Sequence, residues 1–199
     1  DYAASRKQFG GAIEKLPAVR DLVIDMKIEV ETARALLYET SRVVDYDVAY
    51  SKMLEINPPT DKEQLKKIKD ASRRYGRYAG MLTPMTKYLS SEMCNRVTYN
   101  SIQVLGGSGF MRDYPCERLA RDARITTIYE GTSQLQVVAA VRGVCSGTCE
   151  KYLEELAAAH YEPQVQDLLA ILKANTELML KTVAYVKEKG VEYMDLHGR

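Results

Sequence analysis

Apolar residues recur in this chain at three- and four-residue steps over stretches too long for any element but an α-helix. Val19, Leu22, Met26, Val30, Ala33, Leu37, Thr40, Val44 and Asp47 mark one face of a helix running to Leu54. Leu65, Ile68, Ser72, Tyr75, Ala79, Leu82, Thr86, Leu89, Met93 and Val97 mark a second that reaches Leu105. Few strand-like alternations compete with them. Six prolines and twelve glycines among 199 residues leave these helices few breakers. The fold class expected is all-α, an antiparallel four-helix bundle with additional C-terminal helices.

Local signals punctuate the helices. Residues 1–10 read as a helix end closed by Gly10-Gly11, because glycine takes the left-handed conformation that helix stops favour. Pro17 suits a first helical turn. Asn57-Pro58-Pro59-Thr60 ends the first long helix, since a proline lacks an amide donor and disfavours helical geometry in the residue before it. Thr60 or Asp61 caps the next, which Pro84 is expected to kink. Gly106-Gly107-Ser108-Gly109 stops it. A short helix is expected over 116–122, and a capping box of Ser133 and Gln136 opens another through Val144. Ser146-Gly147 marks a boundary, beyond which 149–160 and 165–189 read as two helices, the second with Val165, Leu168, Leu172, Met179, Thr182 and Val186 on one face. The division expected is 1–146 for the bundle and 147–199 for a helical extension.

A chain of 199 residues buries roughly 70% of its extended surface, enough for a real core. Lys+Arg 28 against Asp+Glu 27 leaves no overall field to attract nucleic acid. No uninterrupted apolar run of about 18 residues argues for a membrane span. A local basic run, Lys62, Lys66, Lys67, Lys69, Arg73, Arg74 and Arg77, is partly offset by Asp61, Glu63 and Asp70; it reads as a solvated helix face or as a dock for an anionic ligand or partner. Cys94, Cys116, Cys145 and Cys149 form no CxxC pair and only two histidines are present, which argues against zinc and for free thiols in a reducing cytoplasm. Residues 1–10 lack the basic-then-apolar order of a signal peptide. The chain opens in mid-pattern without a methionine and stops without a tail, so a fragment of a longer protein is expected.

Residues 103–142 concentrate the chemistry. Gly107-Ser108-Gly109 lacks the third glycine of a dinucleotide fingerprint and follows a helix instead of a strand, so it reads as a helix stop whose bare backbone another molecule can approach. Glu130 precedes Gly131-Thr132-Ser133, just ahead of a helix N-terminus. It is either a carboxylate favoured by the helix dipole or a general base on a short rigid turn, with Ile128 and Tyr129 as apolar walls of a dry site. Arg118, Arg121 and Arg124, interleaved with Glu117 and Asp122, read as ion pairs tying the Glu130 loop to its neighbours. Arg6 and Phe9 set a cation beside an aromatic.

Read together, these pieces resemble the C-terminal helical domain of an acyl-CoA dehydrogenase. Arg6-Lys7-Gln8-Phe9-Gly10 resembles the family's R-x-x-F-G, Gln103-Val104-Leu105-Gly106-Gly107-Ser108-Gly109-Phe110 its Q-x-x-G-G-x-G-[FY], and Tyr114-Pro115-Cys116-Glu117-Arg118 its Y-P-x-E-[RK]. Arg121-Asp122-Ala123-Arg124-Ile125 and Ile128-Tyr129-Glu130-Gly131-Thr132-Ser133-Gln134-Leu135-Gln136 complete the series. The motifs stand in the family's order over residues 1–146.

The resemblance implies a flavoenzyme that dehydrogenates an acyl-CoA thioester, of short or medium chain, between its α and β carbons. Glu130 matches the glutamate that removes the α-proton, and Gly131 falls beside the substrate. Arg6 with Phe9 matches a contact to the FAD pyrophosphate, while Gln103, Gly106 and Gly107 match a turn against its adenosine half; in the family both belong to a neighbouring subunit's cofactor. Thr132 and Gln134 match contacts to the subunit's own FAD. A homodimer or homotetramer is implied, with electron-transfer flavoprotein as acceptor, no nucleic-acid or membrane partner, no metal, and a cytoplasmic location, or the mitochondrial matrix in a eukaryote. The family's N-terminal helical and middle β-domains are not in this sequence, so the chain alone is expected to bind FAD weakly without turnover. The helices after Gly147 exceed the family's usual short ending, and an insertion around 57–69 lengthens the usual turn. The alternatives are a non-catalytic helical interaction module and an acyl-CoA oxidase-like flavoenzyme.

Overall fold

The structure, a computed structural model, describes residues 1–190; the last part of the expected extension, 191–199, lies outside the described residues. The chain is helical almost throughout, as expected. α1 (Tyr2–Ser5) leads through a small hairpin, β1 (Lys7–Gln8) and β2 (Gly11–Ala12), to the long α2 (Pro17–Ile56) and α3 (Lys62–Leu105). α4 (Gly107–Phe110), α5 (Cys116–Ala123), α6 (Ser133–Cys145), α7 (Thr148–Ala157) and α8 (Gln166–Lys189) follow. Asp61, not Thr60, caps α3: its Oδ1 accepts the Gln64 amide at 3.1 Å, satisfying one of the donors a helix start leaves open. α3 continues through the buried Pro84 without a break. All four cysteines are free. No helix among the described residues is long and apolar enough to cross a membrane.

The chain divides into two compact units, Asp1–Glu39 with Thr86–Ser133, and Thr40–Met85 with the residues from 134 on. In the first, Arg96 Nε lies 3.1 Å from each carboxylate oxygen of Glu29. In the second, Tyr46 stacks on Tyr75 with ring centroids 4.8 Å apart. The first unit buries Ile13, Ala33, Val104 and Ala123; the second buries Val43, Tyr78, Met81, Leu82, Val137 and Tyr152.

Three expectations are corrected. Gly10-Gly11 does not stop a helix. α1 ends at Ser5, and Phe9 and Gly10, with φ of 49° and 84°, form the two-residue turn of the hairpin, whose positive φ values match the twist of its strands. On α2, Leu37 is 49% exposed whereas Val43 is fully buried, so the inner line runs through Ala33, Thr40 and Val43. A stripe read off sequence can drift by one residue where several apolar residues adjoin. On α8, Leu168 is 62% exposed and Thr182 is also exposed; Leu169, Leu172, Met179, Val183 and Val186 form the half-buried line instead.

A ring cluster organises the second unit. Tyr75 stacks on Tyr46 and Tyr50 and meets Tyr78 edge-on, and Tyr78 meets Tyr152 edge-on at 5.1 Å. Such pairs add roughly 0.5–1.5 kcal/mol each beyond burial. The Tyr78 hydroxyl donates to Glu155 Oε1 at 2.8 Å, and Arg74 Nη1 lies 3.4 Å from the same oxygen. Burial, and then the Glu155 carboxylate that accepts its hydrogen bond, push the Tyr78 phenol from 10.0 up to about 12. The folded state therefore holds this proton more tightly than the unfolded chain. The stabilisation is complete below the unfolded value and is lost as pH rises toward the folded one. In urea unfolding followed by circular dichroism, the parent loses stability between about pH 10 and pH 12, and Tyr78→Phe shows a smaller loss over that interval. Equal losses in the two proteins would place the alkaline sensitivity elsewhere.

Candidate functional site

α5 and a 3-10 turn (Arg124–Thr127) deliver the chain to Glu130, and α6 carries it away. Three side chains of α3 fasten this passage. Asn95 Nδ2 donates to the Ala123 carbonyl at 3.0 Å, fixing the end of α5. Lys87 Nζ donates to the Gly131 carbonyl at 2.8 Å and stands 5.8 Å from the centre of the Tyr129 ring. Glu92 Oε1 accepts the Ser133 hydroxyl at 2.7 Å. All three are half-buried, so the polar groups they meet replace lost water. Glu130, an exposed residue, is thus bracketed on both sides.

The backbone there is unusual. Glu130 has φ 54° and Gly131 φ 90°; among the described residues, Glu130 and Phe9 alone combine a side chain with positive φ. For an L-residue that conformation costs about 1–2 kcal/mol, which the anchored surroundings must offset. The apolar walls expected of Ile128 and Tyr129 do not close: these residues are 46% and 50% exposed. The loop's inward groups are a carbonyl and a hydroxyl, so these side chains stay largely in solvent. Thr132 is exposed and Gln134 half-buried; Gln134 belongs to the second unit.

The arginines do not fasten this loop. Arg121 lies 3.4 Å from Glu117 and 3.9 Å from Asp122, both on its own helix, and Arg124 bonds the Thr127 hydroxyl. Side chains three and four apart on one helix reach each other first, which kept these contacts local. Lys87 and Glu92 do the fastening, and they went unnoticed in the sequence. A signal exists: they are the only charges between Gly80 and Cys94, and isolated charges on a half-buried helix need partners.

A second group of residues assembles around α1. The Tyr2 hydroxyl donates to Ser108 Oγ at 3.1 Å, and its ring meets Tyr114 edge-on at 5.6 Å, bringing the segment that leads to Arg6 against the glycine turn after α3. Arg6 is exposed and forms no ion pair among the described residues. Phe9 stands 89% exposed at the hairpin tip. Gln103 is exposed on the last turn of α3. A Cβ added at Gly106 or Gly107 would meet no atom within 4 Å, so this stretch of backbone is open to a close approach. Gly109 serves another purpose: a Cβ there would sit 2.9 Å from the Ile102 backbone. An uncommitted guanidinium, an exposed ring and bare glycine backbone together suit a ligand that joins phosphate to flat rings. The Glu130 group suits proton transfer beside an anion at the start of α6.

A family model described as the acyl-CoA dehydrogenase C-terminal domain matches residues 1–52 and 65–145. The chain belongs to the acyl-CoA dehydrogenase family. Curated relatives include the caffeyl-CoA reductase-Etf complex subunit CarC of Acetobacterium woodii, 33% identical over 135 residues, which cover 68% of this chain and 28% of that protein. The mitochondrial short-chain specific acyl-CoA dehydrogenase of Bos taurus is 32% identical over 135 residues, covering 68% of this chain and 26% of that protein. The chain thus spans under a third of the length of these relatives. A solved structure of an acyl-CoA dehydrogenase complexed with FAD from Bacillus anthracis shares the fold, with a TM-score of 0.70 over 99% of this chain and 34% of that one at 22% identity. A chain in a structure described as the electron transferring flavoprotein of Acidaminococcus fermentans aligns with a TM-score of 0.51 and 31% identity over 72% of this chain and 30% of that one.

Lys87→Met removes a charge-assisted hydrogen bond from the loop. Unfolding by urea is expected to show a loss of about 1 kcal/mol, and hydrogen exchange to show faster labelling of residues 128–133. Unchanged labelling there would mean that Lys87 does not hold the loop.

Proposed function

We propose that this chain is the C-terminal part of an FAD-dependent acyl-CoA dehydrogenase in which Glu130 is the catalytic base. The observation that carries it is the placement of Glu130: a carboxylate-bearing residue in a left-handed conformation, between the end of α5 held by Asn95 and the Gly131–Ser133 stretch held by Lys87 and Glu92, within the stretch that matches the family. Packing alone does not call for a strained, exposed acid, which weighs against a purely structural module. Arg6, Phe9, Gln103, Gly106 and Gly107 would hold one FAD and Thr132 and Gln134 another, so the reading includes a homo-oligomer. FAD, when bound, supplies a two-electron acceptor for the hydride leaving the β-carbon.

The thioester's α-hydrogen is weakly acidic, so charge developing on its carbonyl oxygen needs a donor; the Glu130 amide takes that role here, and the carboxylate receives the proton. Gly131, without a side chain, leaves room for the thioester to lie along the turn. In the reverse direction the same carboxyl returns the proton, which suits a family containing a protein named as a reductase subunit. Short-chain substrates are favoured by the names of relatives at similar identity. Electron-transfer flavoprotein is the acceptor proposed, supported by the Etf complex named for one relative. Residues 147–199 are read as an extension, which accords with a family match ending at 145; the unmatched stretch between 52 and 65 accords with an insertion there.

In the whole protein that contains this chain, Glu130→Gln is expected to lower kcat for flavin reduction by acyl-CoA by roughly 10²- to 10⁴-fold while the flavin spectrum persists. Near-normal kcat would move the base elsewhere. The chain by itself is expected to take up FAD weakly and to show no turnover, since Ile128 and Tyr129 stand open beside Glu130. Stoichiometric yellow flavin on the isolated chain, measured after dialysis, would contradict that.

A further inference from the structure

The basic run of α3 leads into a cavity. Within the second unit, a recess of about 730 Å³ is lined on one side by Arg73, Arg74 and Arg77 of α3 and on the other by Ser146, Thr148 and Lys151 at the start of α7. None of the residues of the Glu130 loop or of the proposed FAD contacts lines it. Its volume falls in the range of small-molecule sites. Of the acids at its wall, Glu155 is engaged by Arg74 and the Tyr78 hydroxyl. Arg73, Arg77 and Lys151 form no ion pair among the described residues, although Asp70 and Glu154 line the same recess. Three cations on two facing walls therefore keep their donors uncommitted.

The approach is basic as well. A neighbouring hollow of about 310 Å³ shares Asp70 and Arg73 with the recess and adds Lys62, Lys66 and Lys69. Residues 62, 66, 69, 73 and 77 follow three- and four-residue steps and so share one face of α3, a line of positive charge about 22 Å long. Such a line raises the local concentration of anions at the mouth of a recess.

We propose that this recess binds a phosphate-bearing small molecule, with Arg73 and Arg77 holding the phosphate from one wall and Lys151 from the other. A phosphate offers several acceptor oxygens and more than one negative charge, enough for donors on both walls at once, and the guanidinium fork matches its geometry. The concave shape admits a small anion; the flat face of a bilayer cannot fill it. The site gives the basic run of α3 a role that the proposed dehydrogenation does not use.

Titration calorimetry of the 199-residue chain with sodium pyrophosphate at near-physiological salt tests this. Saturable binding is expected, weakened roughly tenfold or more in the Arg73→Gln/Arg77→Gln double variant, since each side chain removed takes away charge-assisted hydrogen bonds. Lys151→Gln weakens it by a smaller factor and is read alone should the double variant misfold. Lys27→Gln, an exposed position on α2 in the other unit, leaves it unchanged. Arg73 and Arg77 lack ion-pair partners among the described residues, so the circular dichroism and Tm of the double variant are expected to match the parent. Several results would overturn the proposal: no saturation at millimolar pyrophosphate, equal binding by the parent and the folded variants, or binding to phosphatidylserine vesicles that pyrophosphate does not displace.

Discussion

An ammonium group on a half-buried stretch of helix must find an acceptor, and the Lys87 ammonium finds the carbonyl of Gly131. Much of the local structure answers to that demand. With Gly131 fixed on one side and Ser133 held by Glu92, the residue between the anchored flank of α5 and the start of α6 has little freedom left, and Glu130 takes a left-handed conformation. α3 is thus more than one member of a bundle. It is the rail on which the exposed Glu130 turn is mounted.

Phe9 and Glu130 share their strain, and both lie in segments matched by the family model. Each is followed by a glycine that also has positive φ, so each turn is made by a pair of residues of which only the second is conformationally free. Phe9 presents a ring and Glu130 a carboxylate, both to solvent. A hairpin tip and a helix-entry loop are otherwise natural places for glycine or asparagine.

Much of the fold was legible. The prolines at 58 and 59, the cap at Asp61 and the glycines after Leu105 mark where the long helices end, because such signals act within one turn of the backbone. The candidate residues were legible too, as motifs. Their supports were less so. By spacing alone Arg121 and Arg124 are placed to hold the Glu130 loop, yet each meets a helical neighbour instead, Glu117 and Thr127. The exposure of Leu37 and burial of Val43 depend on which neighbours pack there, which periodicity within one helix does not specify.

By itself the sequence determined that the chain is helical, where its long helices begin and end, and that the family's motifs fall at Glu130 and the glycine turn. Those properties rest on interactions between residues a few positions apart. Tertiary structure alone decided that Lys87 reaches Gly131, 44 positions along the chain, that Tyr2 reaches Ser108, 106 positions along, and that Arg73 and Arg77 come to share a recess with Lys151. The physical reason is that a side chain's partner across the fold is chosen by how helices pack and by which polar groups are cut off from water, and neither is written in the spacing of residues along one helix.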